Sequence, residues 1–208
     1  MTAPATRRRS QTRAQILACM AEGMHRYGYQ GLRTDKVIEA LGITKGAFYH
    51  YFTDKANVAQ AVIAEMHAQA YAQTWSQLRH APGPVLANLV AALEAIKASA
   101  TEASVALGCP VTNLIQEMAP LDDAIRNQLE QILTGELAAI GNAIEHGQAQ
   151  GQLNPALNAQ DEALYILNAL QGAYSTAKLF RSKAMFYKGI EAIIRYVQAL
   201  GLGSPAAA

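Results

Sequence analysis

Residues 34–55 read TDKVIEALGITKGAFYHYFTDK and contain the clearest structural signal in the chain. Their apolar spacing predicts two short helices on either side of a tight turn at Gly42. We expect Thr34 to cap the first helix and Thr44 to cap the second, because a side-chain oxygen there can accept a backbone N–H. Gly42 tolerates the left-handed backbone that such a turn needs. Together these features have the proportions of a helix-turn-helix.

The second helix of this motif, residues 45–51, is short enough to enter a DNA major groove end-on. Its N-terminal end would place Thr44, Lys45 and Ala47 near the base edges. The backbone amides of the first turn, including that of Gly46, can bind a phosphate. The motif therefore predicts DNA binding.

Helical periodicity extends over almost the whole chain. Residues 10–27 repeat apolar side chains at four-residue spacing, and Asp54 is expected to cap a long helix that reaches Arg79. No run of alternating β-branched residues indicates a strand. We therefore predict an all-α protein of about nine helices. The further helices are expected at residues 85–100, 111–118, 121–150, 159–180 and 183–200.

The charge is divided unevenly along the chain. Up to Lys55 there are nine Lys and Arg against four Asp and Glu, a net charge of +5, whereas the remainder has eight against twelve, or −4. A basic head on an acidic body is typical of a nucleic-acid-binding domain joined to a regulatory one. We expect a helix-turn-helix domain at residues 1–55 and a ligand-binding and dimerisation domain at residues 56–208.

The composition indicates a globular protein, since 51% of the 208 residues are hydrophobic and 16% are charged. No apolar run approaches the roughly 18 residues that a membrane helix needs, and the N-terminus is no apolar targeting segment. We expect a cytoplasmic location and no membrane partner.

Histidines and cysteines give no sign of a metal site. His25, His80 and His146 lack ligand spacing to each other or to a cysteine. The two cysteines, Cys19 and Cys109, are too few and too far apart for a disulfide scaffold or a zinc ribbon. No metal and no cofactor are expected.

Residues 34–55 closely resemble the DNA-binding head of the TetR family of bacterial transcriptional regulators. The resemblance implies phosphate contacts from Tyr49, His50 and Lys55. It also implies a cap from Thr34 on the helix before the Gly42 turn, which is the second helix of the head. The helix of residues 45–51, which is the third of the head, would then read bases of a double-stranded operator. Carried over to this sequence, the candidates for base readout are Thr44, Lys45, Gly46 and Ala47.

The family's body is a helical ligand-binding domain that forms homodimers. We expect the last two helices to meet their twins in a four-helix bundle. The alternative is that their apolar faces pack inside one subunit. The faces consist of Ala163, Ile166, Leu167, Leu170 and Ala173 on one helix and Ile190, Ile193, Ile194 and Val197 on the other, with the small residues Ala169 and Gly172 beside them.

Residues 107–114, LGCPVTNL, resemble a Gly-Cys segment in the NemR-like and AcuR-like branch of the family, some of whose members respond to electrophiles, oxidants or unsaturated acids. The Ala177-Lys178 pair resembles the same branch. Cys109 precedes Pro110, a favourable first helical residue, so its sulfur would lie at the positive end of a helix, where a thiolate is stabilised.

We therefore predict Cys109 as a sensing residue. Lys178 is its predicted tuning partner, a cation that would favour the reactive thiolate of Cys109, and Asn113 belongs to the same effector segment. Alternatively, Cys109 is a small buried hydrophobe and the effector binds reversibly. His67, Tyr71 and Trp75 of the long fourth helix are candidates to line the pocket, although such spacing is also typical of a core.

Two other classes of protein compete with an effector-released repressor. A cysteine-dependent enzyme would use Cys109 as nucleophile and His67 or His146 as base, but the chain has no hydrolase elbow, paired zinc histidines or phosphate loop. An architectural DNA-binding protein would not need a body as large as residues 56–208. We therefore expect a regulator and not an enzyme.

Overall fold

The structure is a computed structural model that describes residues 4–76, 78 and 83–201, with side chains from residue 9 onward. Within these residues there is no strand, and one isolated bridge pairs Leu153 with Gly201. The predicted all-α class is confirmed. The helices are α1 Pro4–Gly31, α2 Thr34–Ala40, α3 Lys45–Tyr51, α4 Lys55–Val62, α5 Ala68–Ser76, α6 Val85–Ser99, α7 Glu102–Leu107, α8 Pro110–Met118, α9 Asp123–Ala149, α10 Ala159–Phe180 and α11 Lys183–Ala199.

Helix α1 is interrupted at Gly28, directly after the predicted helical stretch of residues 10–27. This glycine has a φ of 74° and a ψ of 168°, a backbone conformation that other residues rarely adopt. The chain then makes one more turn, in which the N–H of Leu32 donates to the carbonyl of Gly28 at 3.2 Å.

The turn between α2 and α3 has the predicted helix-turn-helix geometry. Gly42 adopts a φ of 61°, and the N–H of Ile43 donates to the carbonyl of Ile38 at 3.2 Å, which closes the end of α2 as in a Schellman motif. The Thr44 hydroxyl caps α3 by accepting the N–H of Ala47 at 3.1 Å.

The expected cap at Thr34 is wrong. Arg33 occupies the capping position with extended backbone, no side chain caps the helix there, and Thr34 is the first residue inside α2. The extended backbone at Arg33 places the start of the helix at Thr34, so its hydroxyl belongs to the first turn. The Arg33 guanidinium instead forms an ion pair with Asp35 at 2.6 Å.

The long fourth helix contains a π turn that the sequence does not reveal. Asp54 caps α4 by accepting the N–H of Asn57 at 2.8 Å, and the helix continues through the π turn Ile63–His67 into α5. Arg13 of α1 donates two hydrogen bonds, of 2.7 and 2.5 Å, to Glu65 of this turn. The predicted end at Arg79 lies outside the described residues.

The chain forms two compact units. The first comprises Met1–Gln69 and Pro110–Glu130, and the second comprises Ala70–Cys109 and Gln131–Ala208. In the first unit, α1 packs against both α4 and α8. The boundaries of these compact units differ from the expected division after residue 55. The division into a DNA-binding domain and a ligand-binding domain concerns function and stays a prediction.

The core of the second unit includes the predicted dimerisation faces. Helix α11 packs against both α10 and α6. With the exception of the half-buried Ala173, the apolar side chains expected to meet a twin are at most 8% exposed within one subunit. That expectation was wrong for these residues, because helical periodicity identifies a buried face without identifying what covers it.

We expect the replacement Gly28→Ala to lower the free energy of unfolding by about 1–3 kcal/mol, because an L side chain is strained at this φ. The added Cβ would also lie 2.8 Å from Oε2 of Glu117. Urea unfolding measures the change. Gly135→Ala in α9, where nothing lies within 4 Å of the added Cβ, should instead raise stability by about 0.5–1 kcal/mol. Equal effects of the two replacements would contradict this account of Gly28.

Candidate nucleic-acid interface and effector site

The N-terminal end of α3 is open to solvent. Thr44, Lys45 and Gly46 are exposed and Ala47 is half-buried, whereas Phe48 has none of its surface exposed. Because the buried ring orients the helix, the polar groups at its start point away from the core. An exposed, capped helix start of this kind can approach base edges and a phosphate.

The other end of α3 presents two outward aromatic side chains. Tyr49 is 50% exposed, and its ring packs edge-on against Phe48 with 5.3 Å between the ring centroids. His50 is exposed and packs edge-on against the half-buried Tyr51 at 5.3 Å. The hydroxyl and imidazole groups are thus held at the surface by rings beneath them.

Lys55 lies next to α3, at the first residue of α4. Its ammonium donates to the carbonyl of Gln30 at 3.4 Å and lies 4.7 Å from the centre of the Tyr29 ring. Partial burial lowers the pKa of Lys55, and the charge of Glu117 opposes that effect. The half-buried Thr34 begins α2 in the same unit, so every predicted DNA-binding residue belongs to the first compact unit.

Cys109 is buried, with 7% of its surface exposed, between Gly108 and the first residue of α8. Gly108 adopts a φ of 78°, which allows the chain to turn between α7 and α8. The Tyr71 hydroxyl and the Cys109 Sγ lie 2.8 Å apart, and either atom can be the donor. Helix α8 begins at Pro110, one residue before the predicted stretch of 111–118, in agreement with the preference of proline for the first helical position.

A buried carboxyl group lies close to this cysteine. Glu136 of α9 is 5% exposed and accepts a hydrogen bond of 2.8 Å from the indole N–H of Trp75, which is 1% exposed. Burial raises the pKa of Glu136 to about 7. Burial also raises the pKa of Tyr174 to about 12, with contributions from the charges of Cys109 and Glu136. We call Tyr71, Trp75, Cys109, Glu136 and Tyr174 the Cys109 cluster.

The other predicted effector residues are distributed over both units. Lys178 is exposed in the last turn of α10, in the second unit with the Cys109 cluster. Asn113 is half-buried on α8 and His67 lies in the π turn, and both belong to the first unit. Burial, followed by the charge of His25, lowers the pKa of His67 to about 4.

Sequence reasoning missed Glu136, although the sequence contains a signal for it. Glu136 occupies a position on α9 where the helical spacing of its neighbours calls for an apolar side chain. An acid at such a position must find a hydrogen-bond donor or remain neutral. The neighbouring core positions of α9 are Ile125, Leu129, Ile132, Ala139, Ile140, Ala143 and Ile144.

Two further findings concern metals and membranes. In the described part of the chain, no three His, Cys, Asp or Glu side chains are placed to hold a metal ion. His80, and the side chains of Arg7 and Arg8, lie outside the described residues. Among the described helices, none combines the length and apolar character needed to cross a bilayer.

The fold and the open start of α3 define a helix-turn-helix DNA-binding regulator. Residues 16–62 match the model for bacterial regulatory proteins of the tetR family, and residues 85–193 match that for the tetracyclin repressor-like C-terminal domain. The chain belongs to the TetR family, whose members bind DNA operators and form dimers.

Several relatives of this chain are described as transcriptional regulators. The transcriptional regulator AcuR of Cereibacter sphaeroides is 31% identical over 73% of this chain and 69% of its own length. The transcriptional repressor NemR of Escherichia coli is 24% identical over 82% of this chain and 86% of its own length. A regulator in the lacX 3' region of Lactococcus lactis is 30% identical, and the match covers 59% of this chain and 63% of that protein.

The fold also matches that of a TetR-family protein of known crystal structure. The crystal structure of E. coli NemR in its reduced form superimposes with a TM-score of 0.79 at 22% identity, covering 94% of this chain and all of that one.

We expect the buried carboxyl of Glu136 to make stability depend on pH. Below pH 4.5 the group is protonated in both states, and between 4.5 and about 7 the unfolded chain releases a proton that the folded chain retains. His67, whose pKa is lowered to about 4, contributes a rise in stability over much of this range, so the effect of Glu136 is the difference between wild type and a variant. Glu136 should lower the free energy of unfolding as pH rises through this range, by on the order of 3 kcal/mol. Glu136→Gln, which keeps an acceptor for Trp75, should lack this contribution in urea titrations. Parallel pH profiles for the two proteins would contradict the assignment.

Proposed function

We propose that this protein is a repressor that binds a palindromic operator as a homodimer and is released by a small-molecule or electrophilic effector. The observation that carries the proposal is the start of α3, where a capped first turn is open to solvent above the buried Phe48. The protein acts in the cytoplasm, where bacterial DNA lies, as a regulator and not as an enzyme.

Two kinds of DNA contact are proposed. Thr44, Lys45 and Ala47 reach base edges, and the amide of Gly46 binds a phosphate at the helix start. The groups around the end of α3 contact the backbone of the duplex and carry no sequence information. These phosphate-binding groups are Tyr49, His50 and Lys55.

The exposed side of α10 and α11 supports a homodimer. A groove of about 430 Å³ runs between these helices and is lined by small residues that include Ala169, Gly172 and Ala192. Large apolar side chains lie exposed on the same helices, and a second copy of the chain would bury them. These exposed side chains are Leu164, Tyr165, Leu179, Phe180 and Met185.

Cys109 is proposed as the sensing residue, with Lys178 as its tuning partner. Cys109 directly precedes the first residue of α8, and its sulfur lies within hydrogen-bond distance of Tyr71 on α5, after the π turn of the long fourth helix. A chemical change at Cys109 would alter its contact with Tyr71. Release requires that the effector bind the free and DNA-bound conformations with different affinity.

The burial of Cys109 favours a second candidate, in which this cysteine is structural and the effector binds reversibly. A thiol that is 7% exposed and hydrogen-bonded is shielded from solution reagents. Both candidates retain the same DNA-binding head and differ in the chemistry at one sulfur atom.

Replacing head residues should separate phosphate contacts from base contacts. Lys55→Ala and Tyr49→Phe should weaken binding to all DNA sequences alike, whereas Lys45→Ala should also change the preferred bases. Gel shifts on the protein's own promoter region and on unrelated duplexes, at several salt concentrations, measure both effects. Failure of the purified protein to bind its own promoter region at low salt would count against the proposal, as would an unchanged base preference in Lys45→Ala.

Thiol labelling should distinguish the two candidates for the effector. If Cys109 is the sensor, N-ethylmaleimide should label it faster than Cys19 in the native protein and should release DNA. Cys19 is the internal control, because burial raises the pKa of its thiol, and the charge of Glu22 raises it further. Mass spectrometry after limited labelling identifies the faster thiol.

The variant Cys109→Ser should keep DNA affinity and lose its response to the maleimide, to a quinone and to hypochlorite. If it responds as the wild type does, or if Cys19 is labelled first, Cys109 is structural and the effector is reversible.

A further inference from the structure

The C-terminal end of α8 holds the last turn of α1 through a single carboxylate. Oε2 of Glu117 accepts the backbone N–H of Tyr29, and Oε1 accepts that of Gln30, both at 2.8 Å. The amide of the Gln30 side chain also lies 4.0 Å from the sulfur of Met118. All of these residues belong to the first compact unit.

This contact exists because Gly28 interrupts the helix. The change of backbone direction at Gly28 separates the next two N–H groups from the regular hydrogen-bond ladder of α1. Such groups at the start of a helical turn bind an anionic acceptor favourably. Glu117 supplies that acceptor from a distant part of the sequence, and a glycine is required because a Cβ at this position would lie 2.8 Å from its Oε2.

The same turn holds Lys55. The carbonyl of Gln30 accepts a hydrogen bond from the Lys55 ammonium, whose position over the Tyr29 ring adds a cation–π contact. Glu117 thus fixes the two residues that orient the Lys55 side chain. The carboxylate also supplies negative charge near the lysine, which favours its charged form.

We infer that Glu117 is a positioning residue for DNA binding, which holds the Tyr29–Gln30 turn so that Lys55 reaches a backbone phosphate. The inference rests on the phosphate contact proposed for Lys55. Glu117 itself does not contact DNA in this scheme, and its effect on affinity passes entirely through the lysine.

Salt dependence tests this inference, because a merely structural residue leaves the number of neutralised phosphates unchanged. The affinity of the full-length protein for a duplex of arbitrary sequence is measured against salt concentration by fluorescence anisotropy. Lys55→Ala should lower the slope of log affinity against log salt by about one for each head. Glu117→Ala should lower it similarly and weaken binding on the order of tenfold.

The double variant Lys55→Ala/Glu117→Ala should bind no more weakly than Lys55→Ala alone, since the two residues act through one contact. Glu117→Gln, which has one carboxamide oxygen to accept a backbone N–H, should fall between wild type and Glu117→Ala. The matched control is Gln116→Ala, an exposed neighbour on α8, which should match wild type. Circular dichroism melting confirms that each variant is folded.

The outcomes separate the two levels of the proposal. If Lys55→Ala lowers the slope but neither folded Glu117 variant does, or if the losses in the double variant add, the positioning role is overturned and the phosphate contact of Lys55 stands. If Lys55→Ala leaves the slope unchanged, the phosphate contact is overturned, and the positioning role with it.

Discussion

The complete burial of Phe48 is the constraint on which the DNA-binding surface depends. Because this ring must face the core, the rotation of α3 about its axis is fixed, and Lys45 and Tyr49 must face outward. The closed turn at Gly42 and the cap at Thr44 fix where the helix begins. The surface is therefore a consequence of packing, since the apolar contacts that stabilise the head also set the direction of its polar groups.

In the second unit, burial acts on polar groups instead. Trp75 and Glu136 are both almost fully enclosed, and the indole N–H satisfies one carboxyl oxygen. Such a group is costly unless it is neutral or hydrogen-bonded, and the raised pKa of Glu136 and its contact with Trp75 both reduce that cost. Cys109 and Tyr71 form a second polar pair in the same unit, and the proposed sensing role rests on this pair.

The sequence predicted elements whose causes are local. The bounds of α10 and the turn at Gly42 follow from capping residues, glycine and helical periodicity. The prediction that Thr34 caps α2 was wrong, because the extended backbone of Arg33 makes Arg33 the capping residue. The prediction that the apolar faces of α10 and α11 meet a twin was wrong, because helical periodicity does not show whether a partner subunit or the same subunit covers a face. Glu117 left no signal in the sequence, since it binds backbone N–H groups that any residue would provide.

Hydroxyl-radical footprinting shows whether two heads of a dimer present α3 to successive major grooves. The purified protein would be bound at low salt to a duplex containing its own promoter region. We expect this arrangement to give two protected half-sites related by a palindrome, with centres about 34–36 Å apart or a multiple of that distance. Protection of one half-site, or protection without sequence symmetry, would contradict it.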